Sequence, residues 1–302
     1  MGARELGTLL EGGHYFEGPR WHDGRWWVSD FYRHTVFTVA PDGGVDDILT
    51  LEDGGQPSGL GWLPDGSLLV VSMLDHKLLR RAPDGAVSEH ADLSEHCGGL
   101  LNDMVVAEDG TAYVGNFGFD LMAGADAEAA CLVRVAPDGA VSVAARDLVF
   151  PNGSVITPDG TTLLVNETFA ARITAFTIGS DGTLGDRRVW AQVRESPPLG
   201  PLAEMLPGAT YAPDGGTLDA EGHMWTANGL GGPVARVAPG GEIVDEIPLP
   251  EGLAVFACML GGEDGKTLLM CAAPDFAEQA RKAAREATLL TTTVDVPHAG
   301  RP

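Results

Sequence analysis

The chain has 302 residues and a formal net charge of −24 at pH 7, with no basic run. Reading nucleic acid or holding an anionic membrane surface needs clustered Lys and Arg, so neither partner is expected. With 41 Gly and 20 Pro, the chain is punctuated too often for a helical fold.

Met1-Gly2-Ala3-Arg4-Glu5 is followed by no apolar stretch of signal-peptide length. No apolar run is long enough to span a bilayer, and a cytoplasmic protein is expected. Cys97, Cys131, Cys258 and Cys271 are widely spaced and form no CxxC pair, which predicts reduced thiols. Cys258 and Cys271 flank one hairpin and leave a redox pair open.

One short phrase recurs six times along the chain. Its copies begin Phe16-Glu17-Gly18, Pro57-Ser58-Gly59, Leu101-Asn102-Asp103, Pro151-Asn152-Gly153, Pro213-Asp214-Gly215 and Phe256-Ala257-Cys258. About seven positions later each copy reaches an acidic residue plus Gly, from Asp23-Gly24 to Asp264-Gly265. A second set of hairpins lies between the phrases. Val36-Phe37-Thr38-Val39 runs into Pro41-Asp42-Gly43, and Leu132-Val133-Arg134-Val135 into Pro137-Asp138-Gly139. Pro presets such a turn and Gly supplies its positive φ.

Each unit thus reads as four strands, and six such units predict a six-bladed β-propeller of antiparallel blades, one domain over 1–302. The sixth unit lacks its last hairpin, because residues 289–296 give one clear strand. Residues 5–10 would supply the missing outer strand, closing the ring and removing free edges. The acid-Gly turns share one face. The other face carries the long segments 117–130, 194–208 and 274–287, where function is expected. Residues 276–287 are predicted to form a short surface helix, the only helix expected.

Glu17, Asn102, Asn152 and Asp214 share one register, and inner-strand starts surround a propeller's channel. Two carboxylates and two amide carbonyls converging there make an all-oxygen site suited to a hard divalent cation. Ca²⁺ is the first choice, with Mg²⁺, Mn²⁺ or Zn²⁺ as alternatives. No His or Cys pairs stand at zinc-finger spacing. Asn116, Phe117 and Glu167, at or beside second-strand ends on the same face, are candidate substrate contacts. Asp219 is expected to hold a turn. His22, His34 and His76 are expected in solvent, and Trp21, Trp26, Trp27 and Trp62 between blades.

The chain resembles the regucalcin or gluconolactonase family of six-bladed propellers over nearly its whole length. The residues that carry the resemblance are Glu17-Gly18-Pro19-Arg20-Trp21, Leu101-Asn102-Asp103, Pro151-Asn152-Gly153 and Pro213-Asp214-Gly215, with Phe256-Ala257-Cys258 in the last blade. The resemblance implies that Glu17, Asn152 and Asp214 ligate the metal directly. It makes Asn102 a ligand or a substrate contact, and Asp214 the base. Sugar-lactone members carry Arg at the position of Leu100. Leu100 and the segment Phe117-Gly118-Phe119-Asp120-Leu121-Met122 make the pocket mouth greasier than a sugar site.

The expected activity is metal-dependent hydrolysis of a lactone or related ester. The metal would polarise the carbonyl, and Asp214 or Glu17 would activate water. The alternatives are non-hydrolytic lactonisation or ring rearrangement of an apolar metabolite, or a metal-binding propeller without catalysis.

Overall fold

In the computed structural model, which describes residues 4–52 and 54–300, the chain forms six four-stranded antiparallel sheets. Each inner strand packs beside that of the next sheet, and the first packs beside the last, so the sheets close into a ring. This is the six-bladed propeller that the repeat predicts. The inner strands of blades one to six are Phe16–His22, Pro57–Trp62, Leu101–Val106, Pro151–Ile156, Pro213–Leu218 and Ala254–Gly261. Five of the recurring phrases open an inner strand, and the sixth lies two residues inside one.

Blades one to five run outward in chain order. Blade six takes three strands from the C-terminal part and its outermost, Gly7–Gly13, from the N-terminal part. The expected closure holds, with the strand reaching further than residues 5–10. Thr292 Oγ1 donates to Glu5 O at 2.8 Å, extending the seam. Most inner and second strands are buried on both faces, and some read as apolar runs, as in Leu68–Ser72. Outermost strands such as Val45–Thr50 are largely exposed and carry the charges that discourage edge pairing.

The acid-Gly turns recur for a local reason. Asp65 Oδ1 accepts the Ser67 amide at 2.9 Å, and Asp109 Oδ1 accepts that of Thr111 at 2.8 Å. Asp219 holds its turn in the same way and also takes the Arg236 guanidinium. These turns lie opposite the long connections. The expected helix is Glu278–Ala283. A second, four-residue helix, Leu202–Met205, was not expected; Leu202 and Met205 bury against the core from within the segment 194–208.

Trp21 and Trp26 pack 4.7 Å apart against Gly261 of blade six, and Trp27 meets Trp62 of blade two at 5.3 Å. His22 is not a free surface residue, because it stacks on Trp62 at 3.9 Å. His34 Nδ1 lies 2.8 Å from Gly55 O. All four cysteines are free. Cys258 sits opposite Met270 and Cys271 opposite Ala257, so the two thiols emerge on opposite faces of blade six, and the redox pair falls. Among the described residues, no helix is long and apolar enough to cross a membrane.

Candidate active site

Every inner strand breaks register with its neighbour inside the recurring phrase. The slips fall between Glu17 and Arg20, Leu101 and Met104, Pro151 and Ser154, and Pro213 and Gly216. Blade two slips at the equivalent place, between Pro57 and Leu60, and blade six slightly earlier, between Val255 and Ala257. A bulge bends a strand and re-aims its side chains. Here it accompanies the turn of Glu17, Asn102, Asn152 and Asp214 into one cavity at the channel end.

The glycine after each of these residues has a steric cause. A Cβ on Gly153 would lie 2.6 Å from Asp214 O, and one on Gly215 would lie 2.5 Å from Ala257 Cβ. Only glycine lets neighbouring inner strands approach so closely. Blade three departs from the pattern with Asp103. Its carboxylate crosses to Arg20 of blade one at 2.7 Å, and Arg20 also donates to Pro19 O and Met104 O.

The four site residues are 7, 6, 4 and 9% exposed in chain order. Asn152 Nδ2 donates to the Asp214 carboxylate and to Thr168 Oγ1. Asn102 Nδ2 reaches Pro151 O at 3.4 Å. The Gly18 amide donates to Glu17 Oε2 at 2.8 Å. Burial pushes the Glu17 carboxyl up to about 8; the Gly18 amide and Arg20 pull it down, and Asp103 pushes it up. Burial, and then the charges of Glu17 and Asp103, hold Asp214 well above the usual carboxylate range.

Among the described residues no Arg, Lys or His lines the cavity, and Arg20 is committed to Asp103. Two buried carboxylates, of which Glu17 raises the pKa of Asp214, have no basic side chain bonded to them, and the amide nitrogens are spent on protein oxygens. A hard cation fits that donor set. Among the described residues, no cluster of three or more His, Cys, Asp or Glu side chains offers a metal site. The set here has two carboxylates and two amides.

The cavity holds about 670 Å³ of non-protein space, its open mouth included. Aromatic rings wall it on two sides. Phe117 stacks on Phe150 at 4.3 Å, and Phe150 meets Phe169 at 5.0 Å, on the side of blades three and four. Tyr15 packs against Phe31 at 5.1 Å and Phe256 at 5.0 Å, on the side of blades one and six.

Of the expected substrate contacts, Phe117 and Asn102 line the cavity, whereas Leu100, Asn116 and Glu167 do not. Asn116 is fully buried; it donates to Cys131 O and accepts the Gly118 amide. Glu167 is also fully buried, taking Arg172, Thr174 and the Val149 amide. Both residues hold connections, as Asp30 does for the amides of His14 and Tyr15. Leu100 packs against the core where residues 98–99 lie pressed to the backbone of residues 118–119. That contact puts Phe117 on the wall in its place.

Apart from Phe117, the aromatic walls are what the sequence reading missed. Tyr15 and Phe150 each stand two positions before a site residue. Phe31 directly follows the polar residue that ends its second strand, as Phe117 does. Those fixed offsets from the repeat were the available signal.

Residues 16–274 match the family model described as SMP-30/Gluconolactonase/LRE-like region. The chain is 26% identical to the pentonolactonase XacC of Haloferax volcanii over 261 residues, 85% of this chain and 81% of that protein. It is 28% identical to a 6-deoxy-6-sulfogluconolactonase of Pseudomonas putida over 173 residues. That match spans 57% of this chain and only 55% of the relative. Among solved structures, a calcium-binding protein, regucalcin, of Agrobacterium tumefaciens superposes with a TM-score of 0.79. It is 22% identical, over 100% of this chain and 99% of that one. A gluconolactonase of Xanthomonas campestris gives a TM-score of 0.71 at 24% identity, over 97% and 90%.

Proposed function

The chain belongs to the SMP-30/gluconolactonase/LRE-like family, and we propose that it is a divalent-metal-dependent lactonase. One observation carries this reading. Glu17, Asn102, Asn152 and Asp214, from four separate blades, meet at one buried cavity without a basic partner. The lactonase activities named for the relatives from Pseudomonas putida and Haloferax volcanii support it.

Glu17, Asn152 and Asp214, with Asn102, would hold the ion, and Ca²⁺ matches their oxygen chemistry best. When bound, the ion supplies Lewis acidity toward the lactone carbonyl. Asp214 takes a proton from a water positioned against the carbonyl carbon. The water oxygen bonds to the carbonyl carbon, and the ring C–O bond breaks. The departing ring oxygen recovers the proton from Asp214, leaving a hydroxy acid. Asn152 orients Asp214 by its hydrogen bond, and Glu17 supplies the second negative charge of the site.

The test is lactone hydrolysis by chelator-treated protein before and after adding back one divalent ion at a time. Turnover lost with the chelator and restored by Ca²⁺ or a congener supports the reading. Metal binding without turnover on any lactone or ester would return the protein to a non-catalytic propeller.

A further inference from the structure

The cavity's chemistry is lopsided. Among the described residues Glu17 and Asp214 are its only charged lining residues, and Asn102, Asn152 and Thr168 are gathered with them near the floor. Above them the two aromatic walls face each other across the channel, since blades three and four stand opposite blades six and one. At the mouth Met122, Leu230 and Phe276 are 41, 37 and 40% exposed. Large side chains left this open over a cavity mark a surface that something apolar covers.

We propose, resting on the lactonase reading, that the substrate is an uncharged lactone carrying an alkyl or aryl substituent. The carbonyl end would sit on the polar floor and the substituent between the aromatic walls. A polyhydroxylated lactone would bring several hydroxyls against walls of mostly phenylalanine, where the Tyr15 and Tyr32 hydroxyls are the ring groups able to bond them, and each buried unpaired polar group weakens binding. An anionic lactone would meet no basic side chain among the described lining residues and a molecule of net charge −24. The same charges favour release of the hydroxy-carboxylate product. The aromatic rings instead gain from burying alkyl or aryl surface.

The test uses the metal-loaded protein and lactones that share one six-membered ring. These are δ-valerolactone, δ-nonalactone and δ-decalactone, beside glucono-1,5-lactone. A calorimetric arm measures binding of the non-hydrolysable lactams of δ-decalactone and of gluconolactone. The expected result is kcat/KM rising at least tenfold from δ-valerolactone to δ-decalactone, with glucono-1,5-lactone below both alkyl lactones. The decalactam should bind at least tenfold tighter than the gluconolactam. Phe276→Ser, at the cavity mouth, should lower kcat/KM for δ-decalactone at least threefold more than it lowers that for δ-valerolactone. Turnover that is flat with tail length, or best on glucono-1,5-lactone, overturns the substrate class and leaves the lactonase standing. Tail-dependent lactam binding without any turnover upholds the substrate class and removes hydrolysis. Neither binding preference nor turnover removes both.

Discussion

Asp214 and Glu17 are held by different means, and the difference separates their roles. Glu17 leans on its own strand through the Gly18 amide. The Asp214 carboxylate is gripped by Asn152, and its backbone carbonyl by Asn166. Asp214→Asn keeps the volume but removes a ligand charge and the base. General-base catalysis is worth roughly 10²–10⁴-fold, so a rate loss of that order is expected with native circular dichroism and weaker metal binding. Wild-type turnover in this variant would exclude Asp214 from the chemistry. Glu17 leads to a pH prediction. Its folded value near 8 stands above its ordinary 4.5, so it favours the fold while protonated. That contribution is whole below the ordinary value and is lost as pH rises through about 8. Metal-free protein should therefore lose Tm from about pH 5 to about pH 8, and Glu17→Gln should lose less. A calcium concentration 100 times the Kd at pH 5 should return about 2.7 kcal/mol there, and the same concentration should return more at pH 8, where the Kd is lower. Equal Tm slopes for Glu17→Gln and wild type would show that Glu17 does not carry the effect.

At the scale of the strand, the same few residues set blade spacing and aim the site. Gly153 packs on the backbone of Asp214, so Gly153→Ala must push the inner strands of blades four and five apart. Overpacking of this kind costs about 1–3 kcal/mol. Tm should fall accordingly, and calcium affinity should fall with it, although no ligand has been changed. A stable variant with full affinity would mean that the strands yield without moving Asp214. This coupling also explains what the sequence could reveal. Glu17, Asn102, Asn152 and Asp214 are legible because strand bulges recur at the repeat's phase, and a shared register becomes a shared cavity. Asn116 and Glu167 sit at an equally regular phase, yet they hold connections, because a buried polar end of a strand must first satisfy nearby backbone. Leu100, Tyr15 and Phe150 occupy one register and diverge in fate. Only the packing of residues 98–99 under residues 118–119 decides which of them faces the cavity, and no repeat encodes that packing.

The whole ring depends on a strand borrowed from the N-terminal end. Ala287–Thr293 of blade six reads Ala-Thr-Leu-Leu-Thr-Thr-Thr, without a charge or a proline. Left as an edge it would be a template for pairing with another chain, unlike the charged outer strands of blades one to five. Gly7–Gly13 covers it, and Arg4 ties the same segment to Asp245 of blade five through two bonds at 2.8 and 2.6 Å. Blade six also supports the site directly, since Phe256 walls the cavity and Ala257 packs on Gly215 beside Asp214. Removing residues 1–13 should therefore do two things at once. The truncated protein should form larger species by light scattering, growing with protein concentration. Its remaining monomer should bind calcium more weakly than the full chain, although all four site residues are present. Arg4→Ala, which keeps the strand and loses an ion pair worth about 1 kcal/mol or less, should do neither. A truncated protein that stays monomeric with unchanged calcium affinity would show that the outer strand neither protects the edge nor braces the site.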